Sequence, residues 1–290
     1  MKKSAEEIKT MILNFAQLNS SIRAVYLEGS RVNPNFPPDE FQDYDVVFVV
    51  QDFENFITND SWTNIFGEKI IEQQPETFSF GDKLDNFFSY LIIYKEGFRI
   101  DFSIIPIEKR TDFNDSLREI WLDKDGLYTN TPASSDQDYW VIKPNEKWFQ
   151  EVCNEFWWVS TYVAKGLARN EIPYAIKHQE EILRPMLMQM LDWKIGIEQD
   201  FQVSTGKSGK FYPKYLSEEY YQKFLKTYSD SEKENIWKSL SLMIEIFSET
   251  AKNIAETLNF NYNLAEESNI LKYLKEIRQK ATQTQPQTLP

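Results

Sequence analysis

The sequence holds one cysteine and one histidine in 290 residues. A single thiol, Cys153, allows no intrachain disulfide and no cysteine-based zinc site, and a single imidazole, His178, allows no multi-histidine metal centre. The setting of the thiol, "EVCNEFWW", has the pattern of a helix's apolar face, where cysteine acts as a small buried hydrophobe. A lone helical histidine is read the same way, as a structural group. No apolar run reaches the roughly 18 residues of a membrane span, and the N-terminal "MKKSAEEIKTMILNF" lacks the apolar block of a signal peptide. A cytoplasmic protein is the expectation. Basic residues are also scarce: 32 Lys and Arg stand against 45 Asp and Glu, a formal net charge of -13. A grip on nucleic acid through its phosphates calls for a basic face, so neither nucleic acid nor membrane is an expected partner. A negative field instead draws a cationic small molecule inward. What the chain does have is apolar and aromatic material, 41% and 15%, enough for one large domain or two ordinary ones.

The texture changes along the chain. Residues 4–18 read as a helix, with Ser4 and Glu7 as a capping box and Ile8, Met11, Ile12, Phe15 and Leu18 at helical spacing. "IRAVYLE" (22–28) and "DVVFVV" (45–50) read as strands, the second β-branched and central in its sheet. The proline-bearing stretch 31–42 between them reads as a loop. Residues 53–69 are ambiguous, with a short helix as one reading. "FFSYLIIY" (87–94) and "FRIDFSIIPI" (98–107) form a hairpin around "KEG". After the polar linker "TPASSDQDYWVIKPNE" (131–146), helices dominate: 147–170, then 172–198 bent at Pro185, then 217–228, 231–257 and 264–280. In the first of these, Trp148, Val152, Phe156, Val159, Val163 and Leu167 form the core stripe. Glu151, Glu155, Trp158, Tyr162, Lys165 and Arg169 lie on the other face. The expected architecture is α+β: a mixed sheet flanked by helices over 1–135, an all-helical bundle over 136–280 and a disordered tail over 281–290.

The chemistry concentrates where the first strand ends. Gly29-Ser30 offers a sharp turn that can approach a ligand closely, with a hydroxyl able to hold an anion such as a phosphate. After twelve intervening residues comes Asp43-Tyr44-Asp45, whose two carboxylates project to one face. Like charges that close repel unless neutralised. A third carboxylate, Asp101, alternates with Ile100, Phe102 and Ile104, so it too needs compensation. If its strand lies near 45–50, three aspartates converge. Oxygen-only ligands suit Mg²⁺ or Mn²⁺, which also hold triphosphates, and two such ions would clamp the attacking and leaving oxygens of an in-line displacement.

This ordered set resembles the nucleotidyltransferase superfamily typified by DNA polymerase beta: apolar strand, Gly-Ser, about a dozen residues, Asp-x-Asp, and a later strand carboxylate. More closely, "AVYLEGSR", "NPN", "FQDYDVVFVV", "FGEKII", "NFFSYLI", "IDFSIIPI", "WLDKDG", "CNEFWWVSTYVAKGLARNE" and "EILRPML" are similar to the aminoglycoside 6-adenylyltransferase family, the streptomycin-modifying enzymes. These matches run from about residue 20 to 216. The resemblance implies a nucleotidyltransferase fold followed by a helical substrate-binding domain, and transfer of AMP from ATP to a hydroxyl of streptomycin, with pyrophosphate released. It further implies that Asp43 and Asp45 bind magnesium, that Asp101 completes the metal site or acts as base, and that Gly29 and Ser30 cradle the terminal phosphates. Arg31 and Lys165 are candidates for the nucleotide phosphates; Lys165 and Arg169 have pairing with nearby acids as the alternative. Glu155 is the second candidate for the base, or a group that grips the cationic drug. Another aminocyclitol or a protein side chain is the alternative acceptor, and a catalytically dead binding fold the third reading.

Two further features stay open. Trp157 and Trp158 are adjacent, so at most one lies on the core stripe and the other is available for stacking. "STGKSGKFYPKYL" (204–216) fails the P-loop pattern because position 201 is Phe201, not glycine. It reads as a flexible basic loop whose Lys207 and Lys210 are candidates for phosphate contact.

Overall fold

Ser4 and Glu7 close the reciprocal cap expected of them: the Ser4 hydroxyl accepts from the Glu7 amide, and the Glu7 carboxylate accepts from the Ser4 amide. They start α1 (Ala5–Leu18), which leads into β1 (Ile22–Glu28) and, after the loop, β2 (Tyr44–Val50). The computed structural model describes residues 3–36, 38–81 and 83–283. It divides into two compact units, Met1–Asp138 and Tyr139–Pro290.

In the first unit the chain continues through α2 (Phe53–Thr58), β3 (Lys69–Gln73), β4 (Phe88–Tyr94), β5 (Arg99–Pro106) and β6 (Arg118–Asp123). The strands form one six-stranded sheet in the order β3-β4-β5-β2-β1-β6. The β2–β5 pair is parallel and the others are antiparallel, so the sheet is mixed, as the α+β reading requires. β2 is an interior strand, which explains its near-continuous apolar run, whereas the equally interior β5 alternates Arg99, Asp101 and Ser103 with buried Ile100, Phe102 and Ile104. The ambiguous stretch 53–69 becomes α2 and a 3₁₀ segment, Ser61–Phe66. Its Trp62 ring stands edge-on to Phe102 at 5.0 Å and Tyr90 at 5.3 Å, covering one face of the sheet together with α1. The other face is thinner and carries Ala24, Tyr26, Val47, Val49 and Ile105. β3 and β6 were not expected from the sequence. Each is an edge strand with half-exposed residues, so neither shows the apolar run that marks an interior strand.

The second unit is helical: α3 (Glu146–Ala168), α4 (Ile172–His178), α5 (Arg184–Glu198), α6 (Tyr212–Tyr215), α7 (Glu218–Leu225), α8 (Lys233–Leu258) and α9 (Leu264–Gln283). Val152, Phe156, Val159, Val163 and Leu167 of α3 are buried, and Phe156 stacks on Phe247 of α8 at 3.7 Å. The helix expected over 172–198 is interrupted by a π-helical turn, Gln179–Leu183, directly before Pro185. Proline has no N–H to donate and its ring crowds the turn before it, so the ladder shifts there. Of the tail expected over 281–290, residues 281–283 belong to α9, which runs to Gln283, and residues 284–290 lie outside the described residues. The basic stretch 204–216 is anchored, not a free loop. Tyr212 is buried and its hydroxyl donates to Asp192 at 2.8 Å and to the Met188 carbonyl at 3.0 Å. Lys207 and Lys210 remain exposed. Among the described residues no helix is long and apolar enough to cross a membrane.

Candidate active site

The register of the sheet lines up charged side chains from four strands. Asp45 pairs with Asp101 across β2–β5, and with Glu28 across β1–β2; Glu28 pairs with Arg118 across β1–β6. Opposed residues point to the same side, so Asp101, Asp45, Glu28 and Arg118 form a row on the thinner face. Asp43 lies one pleat beyond Asp45, at the mouth of β2. The three aspartates are thus brought together as the sequence suggested, with a fourth acid, Glu28, beside them.

The turn after β1 belongs to the same site. Gly29 has φ +76°, a left-handed conformation that favours glycine. A Cβ there would stand 2.5 Å from Oδ2 of Asp45. The turn and the aspartate therefore touch, and only a residue without a side chain fits between them. Ser30 follows in a 3₁₀ turn, its carbonyl accepting from Nε2 of Gln42 at 3.3 Å. Arg31 donates from Nε to the Asp43 carbonyl at 2.9 Å and from Nη2 to the Gln42 carbonyl at 2.6 Å, and its guanidinium lies 3.8 Å from the Tyr44 ring centre. Arg31 pins the chain that delivers Asp43 and Asp45 to their places.

Two arginines bracket the acids. Arg118, 5% exposed, reaches Glu28 at 2.8 Å and lies over the Tyr26 ring at 4.1 Å. Arg99 takes both oxygens of Asp101, Nε to Oδ1 at 2.7 Å and Nη2 to Oδ2 at 2.6 Å, and its Nη1 is 3.3 Å from Asp43. Among the described residues no lysine or arginine is ion-paired with Asp45. Burial, followed by the carboxylates of Asp101 and Asp43, pushes the Asp45 carboxyl up to about 6. Burial likewise raises Asp43, against the pull of Arg99, and raises Glu28, against the pull of Arg118.

Asp45 is thus a largely enclosed carboxylate among like charges with no cation of its own. The acids beside it, Asp43, Asp101 and Glu28, offer carboxylate oxygens, the ligand type that suits Mg²⁺ or Mn²⁺. Among the described residues no group of three acidic, histidine or cysteine side chains is spaced to hold a metal. Arg99 stands between Asp43 and Asp101, and both oxygens of Asp101 are already engaged. The residue types are those a divalent cation takes, and Arg99 stands where they converge.

The remaining candidates lie in the helical unit. Glu155 is exposed on α3, and Lys165 on the same helix lies 5.6 Å from the ring centre of Tyr273. Trp157 is buried at 2% exposure, whereas Trp158 is 58% exposed and donates from Nε1 to the Tyr162 hydroxyl at 2.7 Å. His178 bonds the Tyr174 carbonyl through Nδ1 at 2.8 Å and packs against the rings of Tyr174 and Tyr162, a local structural role. Cys153 is buried and its thiol is pushed far up by burial, which leaves it inert. Sequence reasoning missed Glu28, Arg99 and Arg118. Glu28 directly precedes the Gly-Ser turn and Arg99 stands two residues before Asp101, so each had a local signal. Arg118 had none, because its strand was not expected.

The family model for streptomycin adenylyltransferase matches residues 1–277. The chain is 42% identical over 264 residues to the aminoglycoside 6-adenylyltransferase of Bacillus subtilis (strain 168), covering 90% of this chain and 93% of that one. It is 39% identical over 280 residues to a protein of the same name from Campylobacter jejuni, covering 96% of each. A crystal structure of an aminoglycoside 6-adenyltransferase from Bacillus subtilis aligns with 95% of this chain and 99% of that chain at 37% identity and a TM-score of 0.48.

Proposed function

The chain belongs to the streptomycin adenylyltransferase family and is a nucleotidyltransferase; from that premise we propose that it transfers AMP from magnesium-bound ATP to a hydroxyl of streptomycin, as an aminoglycoside 6-adenylyltransferase. The observation that carries the reading is the row Asp101–Asp45–Glu28 with Asp43 beside it, packed against the Gly29 turn.

In this reading Asp43 and Asp45 would hold the metal, and Asp101 would complete the set once Arg99 releases it. When bound, magnesium would neutralise the triphosphate and stabilise charge developing on it. The Gly29-Ser30 turn lets the backbone approach the terminal phosphates without a side chain in the way. Arg31 keeps the two aspartates in place through the carbonyls of Gln42 and Asp43. The acceptor hydroxyl oxygen forms a bond to the α-phosphorus as the bond to pyrophosphate breaks. Its proton passes to a carboxylate, with Asp101 and Glu155 as the two candidates. While both Asp101 oxygens accept from Arg99, that carboxylate is poorly placed to take a further proton. Lys165 remains a candidate for the nucleotide phosphates. The formal charge of -13 suits a polycationic acceptor.

The test is AMP transfer from labelled ATP to a panel of aminoglycosides by purified protein, with Asp45→Asn as control. Streptomycin labelling that disappears in the variant supports the reading. Labelling of another aminoglycoside or of a protein, with streptomycin untouched, overturns the acceptor assignment, and full transfer by Asp45→Asn overturns the metal assignment.

A further inference from the structure

We propose that Arg99 is a built-in counter-cation that occupies the place of the metal in the nucleotide-free enzyme, and that it must release Asp101 and Asp43 before the divalent site can form.

Arg99 and Asp101 are two residues apart on β5, so their side chains rise from the same face of the sheet. The guanidinium takes both oxygens of Asp101 in a fork at 2.7 and 2.6 Å and reaches Asp43 at 3.3 Å. One planar cation therefore satisfies two of the three aspartates. Without it, the cations near Asp43, Asp45, Asp101 and Glu28 would be Arg118, which is paired to Glu28, and Arg31, which donates to the Gln42 and Asp43 carbonyls. A forked arginine–carboxylate pair is among the stronger polar contacts a protein makes. It also uses the same oxygens that a divalent ion would require. Arginine and metal thus compete for Asp101. The Arg99 side chain is 39% exposed while that of Asp101 is 15% exposed, so the guanidinium has open space to leave into and the carboxylate does not. Once displaced it remains tethered at the rim of the site as a positive group, suited to meet the anionic nucleotide that arrives with the metal.

The inference rests on the metal-site assignment under Proposed function, and one titration separates the two. Mn²⁺ binding is measured by electron paramagnetic resonance without nucleotide, for the wild type, Arg99→Gln, Arg99→Lys and Asp45→Asn, each checked for native circular dichroism. Removing the competitor should tighten Mn²⁺ binding about tenfold in Arg99→Gln. Arg99→Lys keeps the charge but loses the fork, and should fall between the two. Asp45→Asn should weaken binding. Unchanged or weaker binding in Arg99→Gln, with Asp45→Asn weakened, overturns the role of Arg99 and leaves the metal site standing. No effect of Asp45→Asn removes the metal site itself. Should Arg99→Gln not fold, the wild type decides with Arg99 labelled at Nε. Its Nε–H should be protected from exchange without metal and lose that protection on addition of Mg²⁺ and a non-hydrolysable ATP analogue; continued protection overturns the proposal.

Discussion

Asp45→Asn should make the metal-free protein more stable while it ends transfer. The folded state holds the Asp45 proton up to about 6, against an ordinary aspartate value of 3.8 in the unfolded chain. Between those two pH values the native state binds more protons than the unfolded state, so stability falls as pH rises through that window. The full gap corresponds to about 3 kcal/mol, and partial access of water to the carboxylate brings the expected loss to about 1–3 kcal/mol. Asparagine has nearly the same shape and no charge, so the variant escapes that loss. The two proteins should melt alike below pH 3.8, where Asp45 is neutral in both states. Above about pH 6 the variant should melt higher by roughly 2–4 °C per kcal/mol for a chain of this size. Thermal unfolding at about pH 3 and at about pH 8 in the presence of a chelator reads this directly. Added Mg²⁺ should raise the wild-type midpoint and leave the variant where it was. A variant that melts at or below the wild type at pH 8 would refute the reasoning, since it would show that the Asp45 charge is already compensated in the folded protein.

Gly29→Ala should lose about 1–2 kcal/mol for the left-handed backbone alone, and more because the new Cβ strikes Asp45; urea unfolding and transfer assays check this, and intact activity would separate the turn from the site. Arg118→Met leaves Glu28 enclosed without its partner, which should cost about 3–5 kcal/mol. The double variant Glu28→Gln with Arg118→Met should recover most of that in urea unfolding, and no recovery would mean that the Glu28 charge is not the cause. Trp157→Ala should cost about 3–5 kcal/mol and Trp158→Ala less than about 0.5 kcal/mol, because the first ring is 2% exposed and the second 58%; equal midpoints in denaturant would contradict that assignment of faces.

The elements legible in the sequence were those whose pattern is local and strong. α1 announces itself through a capping box and a helical stripe, and β2 through the five consecutive apolar residues 46–50 after Asp45. β3 and β6 escaped because edge strands carry polar residues on exposed positions and so lack a run. An irregularity in the helix over 172–198 was legible from Pro185, but its form as a π-helical turn was not, since that depends on how the neighbouring turns pack. Within the site, the types and order Gly29-Ser30, Asp43, Asp45, Asp101 were readable from spacing. The arginines that answer them were not singled out, because a charge's partner is set by which strand lies alongside.

The sequence by itself determined the local chemistry: which residues can turn sharply, which strand must be buried and which carboxylates demand a cation. These follow from side-chain periodicity and backbone preference, both of which act within a few residues. Only the tertiary structure decided that Asp101 stands opposite Asp45, that Glu28 joins them, and that Arg118 and Arg99 stand at the two ends of the row. Sheet register is a long-range pairing across chain separations of tens of residues, and electrostatic compensation follows register.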